Sequence, residues 1–153
     1  MAMKDRIRIM LIEPDVHTRE VYREAVSRMP DMELVFDTDQ QAPAVDYLRT
    51  QGADVVIMEM ELTEGDGISL LDEINNPPEE KPLIILSTYT TSRATLGYMR
   101  MNGVDLVCQK LNQTYSPAYV LQMVEKLYPY RFFAEPADET GTVIAQIREE
   151  LDT

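Results

Sequence analysis

Asp54-Val55-Val56-Ile57-Met58-Glu59-Met60-Glu61-Leu62-Thr63-Glu64-Gly65-Asp66-Gly67 is the stretch on which the reading of the fold turns. Four apolar residues run unbroken from Val55 to Met58, polarity then changes abruptly, and Gly65 and Gly67 punctuate the exit. A short apolar run bounded by turn signals suits a strand covered on both faces, as in a parallel sheet. Open α/β sheets place their chemistry just past the carboxyl ends of such strands. Glu59 stands at that place, so the search for function starts there.

Upstream, Ile7, Ile9, Met10, Leu11 and Ile12 form a first apolar run that ends at Glu13-Pro14-Asp15. Val21, Ala25, Val26 and Met29 then recur at helical spacing, predicting a helix over 16–28 before Pro30 and Asp31. Residues 32–37 read as a second strand, and Asp39 is expected to cap a helix carrying Ala44, Val45 and Leu48. Downstream, Ile68, Leu71 and Ile74 mark a third helix stopped by Asn75-Asn76-Pro77-Pro78. Leu83 to Leu86 is a fourth apolar run ending at Ser87-Thr88, followed by a helix over 91–101 with Asn102-Gly103 as its stop. Leu106-Val107-Cys108 is a short fifth strand leading to Lys110. Ser116-Pro117 opens a fifth helix containing Val120, Leu121, Val124 and Leu127.

Strand starts near Arg6, Met32, Val55, Leu83 and Asp105, with one helical pattern in each gap, predict repeated βαβ units. Right-handed crossovers then put helices on both faces of the sheet. The expected fold class is α/β: a three-layer, doubly wound, five-stranded parallel sheet.

Composition narrows the function. With 27 acidic and 14 basic residues the formal net charge is −13, which repels a phosphate backbone, so no direct nucleic-acid binding by this segment is expected. A single cysteine, Cys108, excludes an internal disulfide, and a single histidine, His17, leaves neither a zinc site nor a catalytic triad. No apolar run is long enough to cross a bilayer, and the opening MAMKDRIRIM lacks the long apolar segment of a secretory signal. A cytoplasmic protein without membrane association is the expectation. The lack of a Gly-rich phosphate loop argues against a nucleotide-binding enzyme. Past residue 128 the chain reads as a linker and an amphipathic helix over 129–153, with Val143, Ile144, Ile147 and Leu151 on one face. That helix packs on the domain, pairs with a second copy, or leads on to an effector domain.

Polar groups collect at one edge of the expected sheet: Glu13 and Asp15 after the first strand, Glu59 after the third, Ser87 after the fourth and Lys110 after the fifth. An acidic cluster faced by a hydroxyl and a lysine suits a phosphorylated carboxylate with a divalent cation. On Ile9-Met10-Leu11-Ile12-Glu13, Asp54 to Gly67, Pro82 to Thr88 and Gly103 to Lys110, the chain resembles a receiver domain of two-component response regulators. The resemblance covers residues 5–128. It implies a flavodoxin-like strand order 2-1-3-4-5 and a receiver-like domain over 1–128. It also sets Glu59 in the position of an aspartate that takes a phosphoryl group from a histidine kinase.

The departures from that pattern accumulate. Glutamate advances the carboxylate by about 1.5 Å relative to aspartate, and misplacement of about 1 Å already harms in-line transfer. Pro14 stands in the place of a second acidic cation ligand, Thr63 and Leu111 replace prolines, and Val107 takes the place of an aromatic switch residue. Ser87 and Lys110 are retained as the switch hydroxyl and the phosphate-site lysine. The expectation is an atypical receiver, a pseudo-receiver independent of phosphorylation. It would act in signal transduction or transcription control through protein contacts, and not as an enzyme. Its expected partners are a histidine kinase or an effector domain, and it is expected to form a homodimer. No cofactor is expected: Mg²⁺ binding is weakened by Pro14, with Glu13, Asp15 and Glu59 the only weak candidates as ligands. Two alternatives stay open: a working Mg²⁺-dependent phospho-receiver using those three carboxylates, and a dimerisation scaffold whose pocket is vestigial.

Overall fold

The structure, a computed structural model, describes residues 5–75 and 81–131. Five strands alternate with five helices: β1 (Ile7–Ile12), α1 (Val16–Ser27), β2 (Met32–Thr38), α2 (Gln41–Thr50), β3 (Val55–Met58), α3 (Gly67–Ile74), β4 (Leu83–Thr88), α4 (Arg93–Met101), β5 (Leu106–Gln109) and α5 (Pro117–Leu127). The strands form one parallel sheet in the order β2-β1-β3-β4-β5, as expected.

Alternation along the strands builds two cores. Ile9, Leu11, Val55, Ile57, Leu83, Ile85, Leu106 and Cys108 face α1 and α5 and pack with Tyr22, Val26, Val120, Leu121 and Val124. Met10, Ile12, Val56, Met58, Ile84, Leu86 and Val107 face α2, α3 and α4 and pack with Ala44, Leu70, Leu71, Leu96 and Met99. β3 is buried at all four of its residues, which is why its sequence is an unbroken apolar run and not an alternating one. Each fully buried Leu, Ile or Met contributes about 1.5–3 kcal/mol, so these layers dominate the stability and hold the strand ends in fixed positions.

Local signals set most helix ends. Asp66, Ser92 and Ser116 each accept a first-turn backbone N–H, starting α3, α4 and α5. Gly103, at φ 110°, ends α4 in a conformation that side chains disfavour. The expected Asp39 cap of α2 is not made. The helix starts one residue later, from Gln40, which gives no side-chain cap. The exposed amides are satisfied from a distant loop instead: Gln41 N–H donates to the Glu64 carbonyl at 2.9 Å and Ala42 N–H to the Glu64 carboxylate at 3.4 Å. No helix among the described residues is long and apolar enough to cross a membrane. The Pro77-Pro78 stop and the helix expected near the chain's end lie outside the described residues.

Candidate functional site

Parallel order brings the ends of β1, β3, β4 and β5 together, and each polar group there is held by a backbone bond that extends the sheet. Glu13 N–H donates to the Thr38 carbonyl at 2.8 Å, Glu59 N–H to the Ile12 carbonyl at 3.1 Å and Lys110 N–H to the Thr88 carbonyl at 2.7 Å. Gly67 lets α3 start against this edge, since a Cβ there would sit 3.0 Å from both the Glu59 carbonyl and Met60 Cα.

The three ionic side chains converge. Lys110 Nζ lies 2.9 Å from Glu59 Oε2 and makes a second, short ion pair with Glu13 Oε1. Both glutamates are buried, at 3% and 5% exposure, so the ammonium is what makes their charges tolerable. Three of the four carboxylate oxygens accept further hydrogen bonds. Glu59 Oε1 accepts the Thr88 hydroxyl and the Met60 N–H at 2.6 Å, and Oε2 also accepts the Tyr89 N–H at 3.3 Å. Glu13 Oε2 accepts the Asp15 N–H at 2.9 Å. The Tyr89 ring covers the ammonium, with its centroid 4.9 Å from Nζ. Burial pushes the Lys110 pKa down, but hydrogen bonds and charge from Glu13 and Glu59 outweigh it and leave it above the ordinary value. A cavity of about 260 Å³ opens over the cluster between Pro14, Glu61, Tyr89 and Thr90.

Two side chains read from the sequence are committed to other partners. Asp15 lines the cavity, but its carboxylate caps α1, accepting the Thr18 hydroxyl at 2.6 Å and N–H at 2.9 Å, and these bonds lower its pKa. Ser87 lies near the buried Tyr22 on the α1 side of the sheet, where burial raises the tyrosine pKa. Thr88, not Ser87, meets Glu59. Strand alternation alone groups Ser87 with Glu59, because Val55 and Ile57 share a face with Leu83 and Ile85. That parity fails past Met58, where β3 has ended and the longer glutamate side chain folds over the strand ends toward its own Met60 amide. Val107 is packed in the core beneath α4. Arg19, which sequence reasoning passed over, donates to the carbonyls of Glu13 (2.6 Å) and Pro14 (3.1 Å) and fixes the loop that presents Glu13.

The donor set does not fit a divalent cation. The oxygens of Glu13 and Glu59 already face an ammonium, a hydroxyl or amides, Asp15 is committed to α1, and Pro14 has no ligand to offer. Among the described residues no three His, Cys, Asp or Glu side chains stand close enough to hold a metal.

Comparison with known proteins gives a consistent picture. The family model described as response regulator receiver domain matches residues 9–117. A protein-glutamate methylesterase/protein-glutamine glutaminase of Ralstonia nicotianae is 26% identical over 111 residues, which cover 71% of this chain and 29% of that protein. A homologue of the same description from Caulobacter vibrioides is 25% identical over 124 residues, covering 80% and 36%. The chain thus spans about a third of the length of these relatives. Among solved structures, a LuxR-family DNA-binding response regulator of Staphylococcus aureus superposes with a TM-score of 0.71 at 20% identity, covering 80% of this chain and 98% of that one. The non-phosphorylated receiver domain of RcsB from Escherichia coli gives 0.71 at 16% identity, covering 82% and 95%.

Proposed function

The chain belongs to the family of response regulator receiver domains, a signal-transduction module, and on that premise we propose that it is a pseudo-receiver, held in one signalling conformation by Glu59 without phosphorylation. The observation that carries this reading is the saturation of the Glu59 carboxylate. An acceptor must offer a carboxylate oxygen as nucleophile in line with the phosphoryl group. Here both oxygens are engaged, by Lys110, the Thr88 hydroxyl and the amides of Met60 and Tyr89.

The same contacts give the glutamate a positive role. It ties the end of β3 to the last residue of β4, to the loop leading into α4, and to Lys110 after β5. Glu59 therefore works as a permanent anion that draws in a hydroxyl and an ammonium, the two groups expected to meet a phosphoryl group in an ordinary receiver. The output is then protein contact and not turnover. Homodimerisation, a cytoplasmic location and an effector joined through residues 129–153 belong to this proposal. The alternative of a working Mg²⁺-dependent receiver is disfavoured by the unsuitable donor set around Glu13 and Glu59.

Amide NMR spectra of the full chain test it. A small phosphodonor with Mg²⁺ leaves the wild-type spectrum unchanged, while Glu59→Gln moves the amides of Tyr89, Thr90 and Lys110. Donor-dependent shifts of those amides in the wild type would reject the proposal.

A further inference from the structure

At the amino end of the sheet, the pole opposite Glu59, two concavities meet. One, about 590 Å³, lies between the starts of β1 and β2, Asp54 and Tyr128. The other, about 290 Å³, follows the start of β2 along the second half of α1. They share Arg6 and Glu33 and so form one continuous trough. Ile7, Met29, Leu34 and Tyr128 give it an apolar floor, each half-buried against the core beneath. Its charges cancel, with Arg6, Arg8 and Arg23 set against Asp5, Glu33 and Asp54, in a chain of net charge −13. Arg6, which lines both halves, has no hydrogen-bonded or ion-paired partner among the described residues.

The chain leaves α5 at the mouth of this trough. Tyr128 lines it, and the Arg131 guanidinium stacks on the Tyr128 ring, 3.8 Å from its centroid. Residues 132–153 lie outside the described residues. Their sequence opens on Phe132-Phe133 and carries Val143, Ile144, Ile147 and Leu151 at helical spacing, among six acids and one arginine. Residues 132–140 can span about 30 Å, the diameter of a small domain, so the apolar face that follows can reach any part of the trough.

We infer that residues 132–151 of this chain dock back into the trough, with the 143–151 apolar face on Ile7, Met29, Leu34 and Tyr128 and a carboxylate of the segment paired to Arg6. Apolar burial drives the contact. An acidic segment meets least repulsion where the surface charge is balanced and an arginine stands unpaired. The tether holds the segment at about millimolar effective concentration, whereas a second copy, also at −13, must first overcome charge repulsion. The inference does not depend on the state of Glu59, and it leaves the effector of the proposed function to follow the docked segment.

Amide NMR and hydrogen exchange on the full chain test it. Ile147→Asp puts a charge on the apolar face of the segment and leaves the described domain untouched. In that variant the amides of Ile7, Glu33, Leu34 and Tyr128 shift and those of Tyr89 and Lys110 hold. The amides of 143–151 exchange about tenfold or more faster than in the wild type. Arg6→Glu, made from the domain side, speeds the same exchange about threefold, and by less as salt rises. Unmoved trough amides in Ile147→Asp would overturn the inference, as would wild-type exchange over 143–151 at the rate of an unstructured peptide. So would protection that disappears on dilution as a dimer becomes a monomer, which would place the segment in a second copy. A phosphoryl adduct on Glu59 would sink the pseudo-receiver reading and leave this result standing.

Discussion

Asp54 and Asp105 at the amino end of the sheet, and Glu13 and Glu59 at its carboxyl end, are all carboxylates beside strands, but they are used differently. Asp54 accepts the Arg8 N–H at 2.9 Å, and Asp105 accepts the Ile84 N–H at 2.8 Å with Lys81 beside it at 2.9 Å. Each one satisfies an amide near the start of a neighbouring strand, and at Asp54 any acceptor of that shape performs the job. At the other end the carboxylates share one ammonium and spend their remaining oxygens on groups from β4 and the loops. There the negative charge itself is required, and charge-dependent burial is a mark of a functional site more than of a structural one.

The sharpest way to break the comparison is Lys110→Met, which strands two buried carboxylates. We expect a loss of about 3–5 kcal/mol in urea unfolding. Amide swaps come next. Glu59→Gln removes the anion and sets its amide donor against either the Thr88 and Met60 donors or the Lys110 and Tyr89 donors, and should cost about 1.5–3 kcal/mol. Asp54→Asn keeps an acceptor for Arg8 and should cost about 1 kcal/mol or less. Equal losses in the two variants would erase the distinction between the ends. The neighbouring hydroxyls refine it further: Thr88→Val and Ser87→Ala should each cost about 1 kcal/mol, but only Thr88→Val should move the Tyr89 and Lys110 amides in an NMR spectrum.

The smallest effect near neutral pH is titration. The Lys110 pKa is raised in the folded protein, so its contribution is complete below the ordinary value of 10.5 and is lost as pH rises through the folded-state value. Tyr22, also raised, adds to the same alkaline loss. Unfolding midpoints followed from neutral into alkaline pH should therefore fall less steeply in Lys110→Met when both chains carry Tyr22→Phe.

The fold was legible because its signals are local. The buried run at Val55 to Met58, the Ser116 cap and the Asn102-Gly103 stop each act within a few residues of themselves. Glu13, Glu59 and Lys110 were legible for a related reason, since parallel order must gather the strand ends. What escaped depends on partners distant in the chain. The α2 start is satisfied by Glu64, which a local cap rule for Asp39 does not contain. Asp15 carried its own signal as the residue before α1, yet proximity to the site outweighed it. Thr88 was hidden because strand parity points to Ser87 and fails only where Glu59 leaves β3.

The central claim is that the Glu59 carboxylate is closed to phosphoryl transfer. Intact mass of the wild-type chain, after incubation with a small phosphodonor and Mg²⁺, tests it most directly. The account predicts the unmodified mass, and a phosphoryl adduct that maps to Glu59 would contradict it.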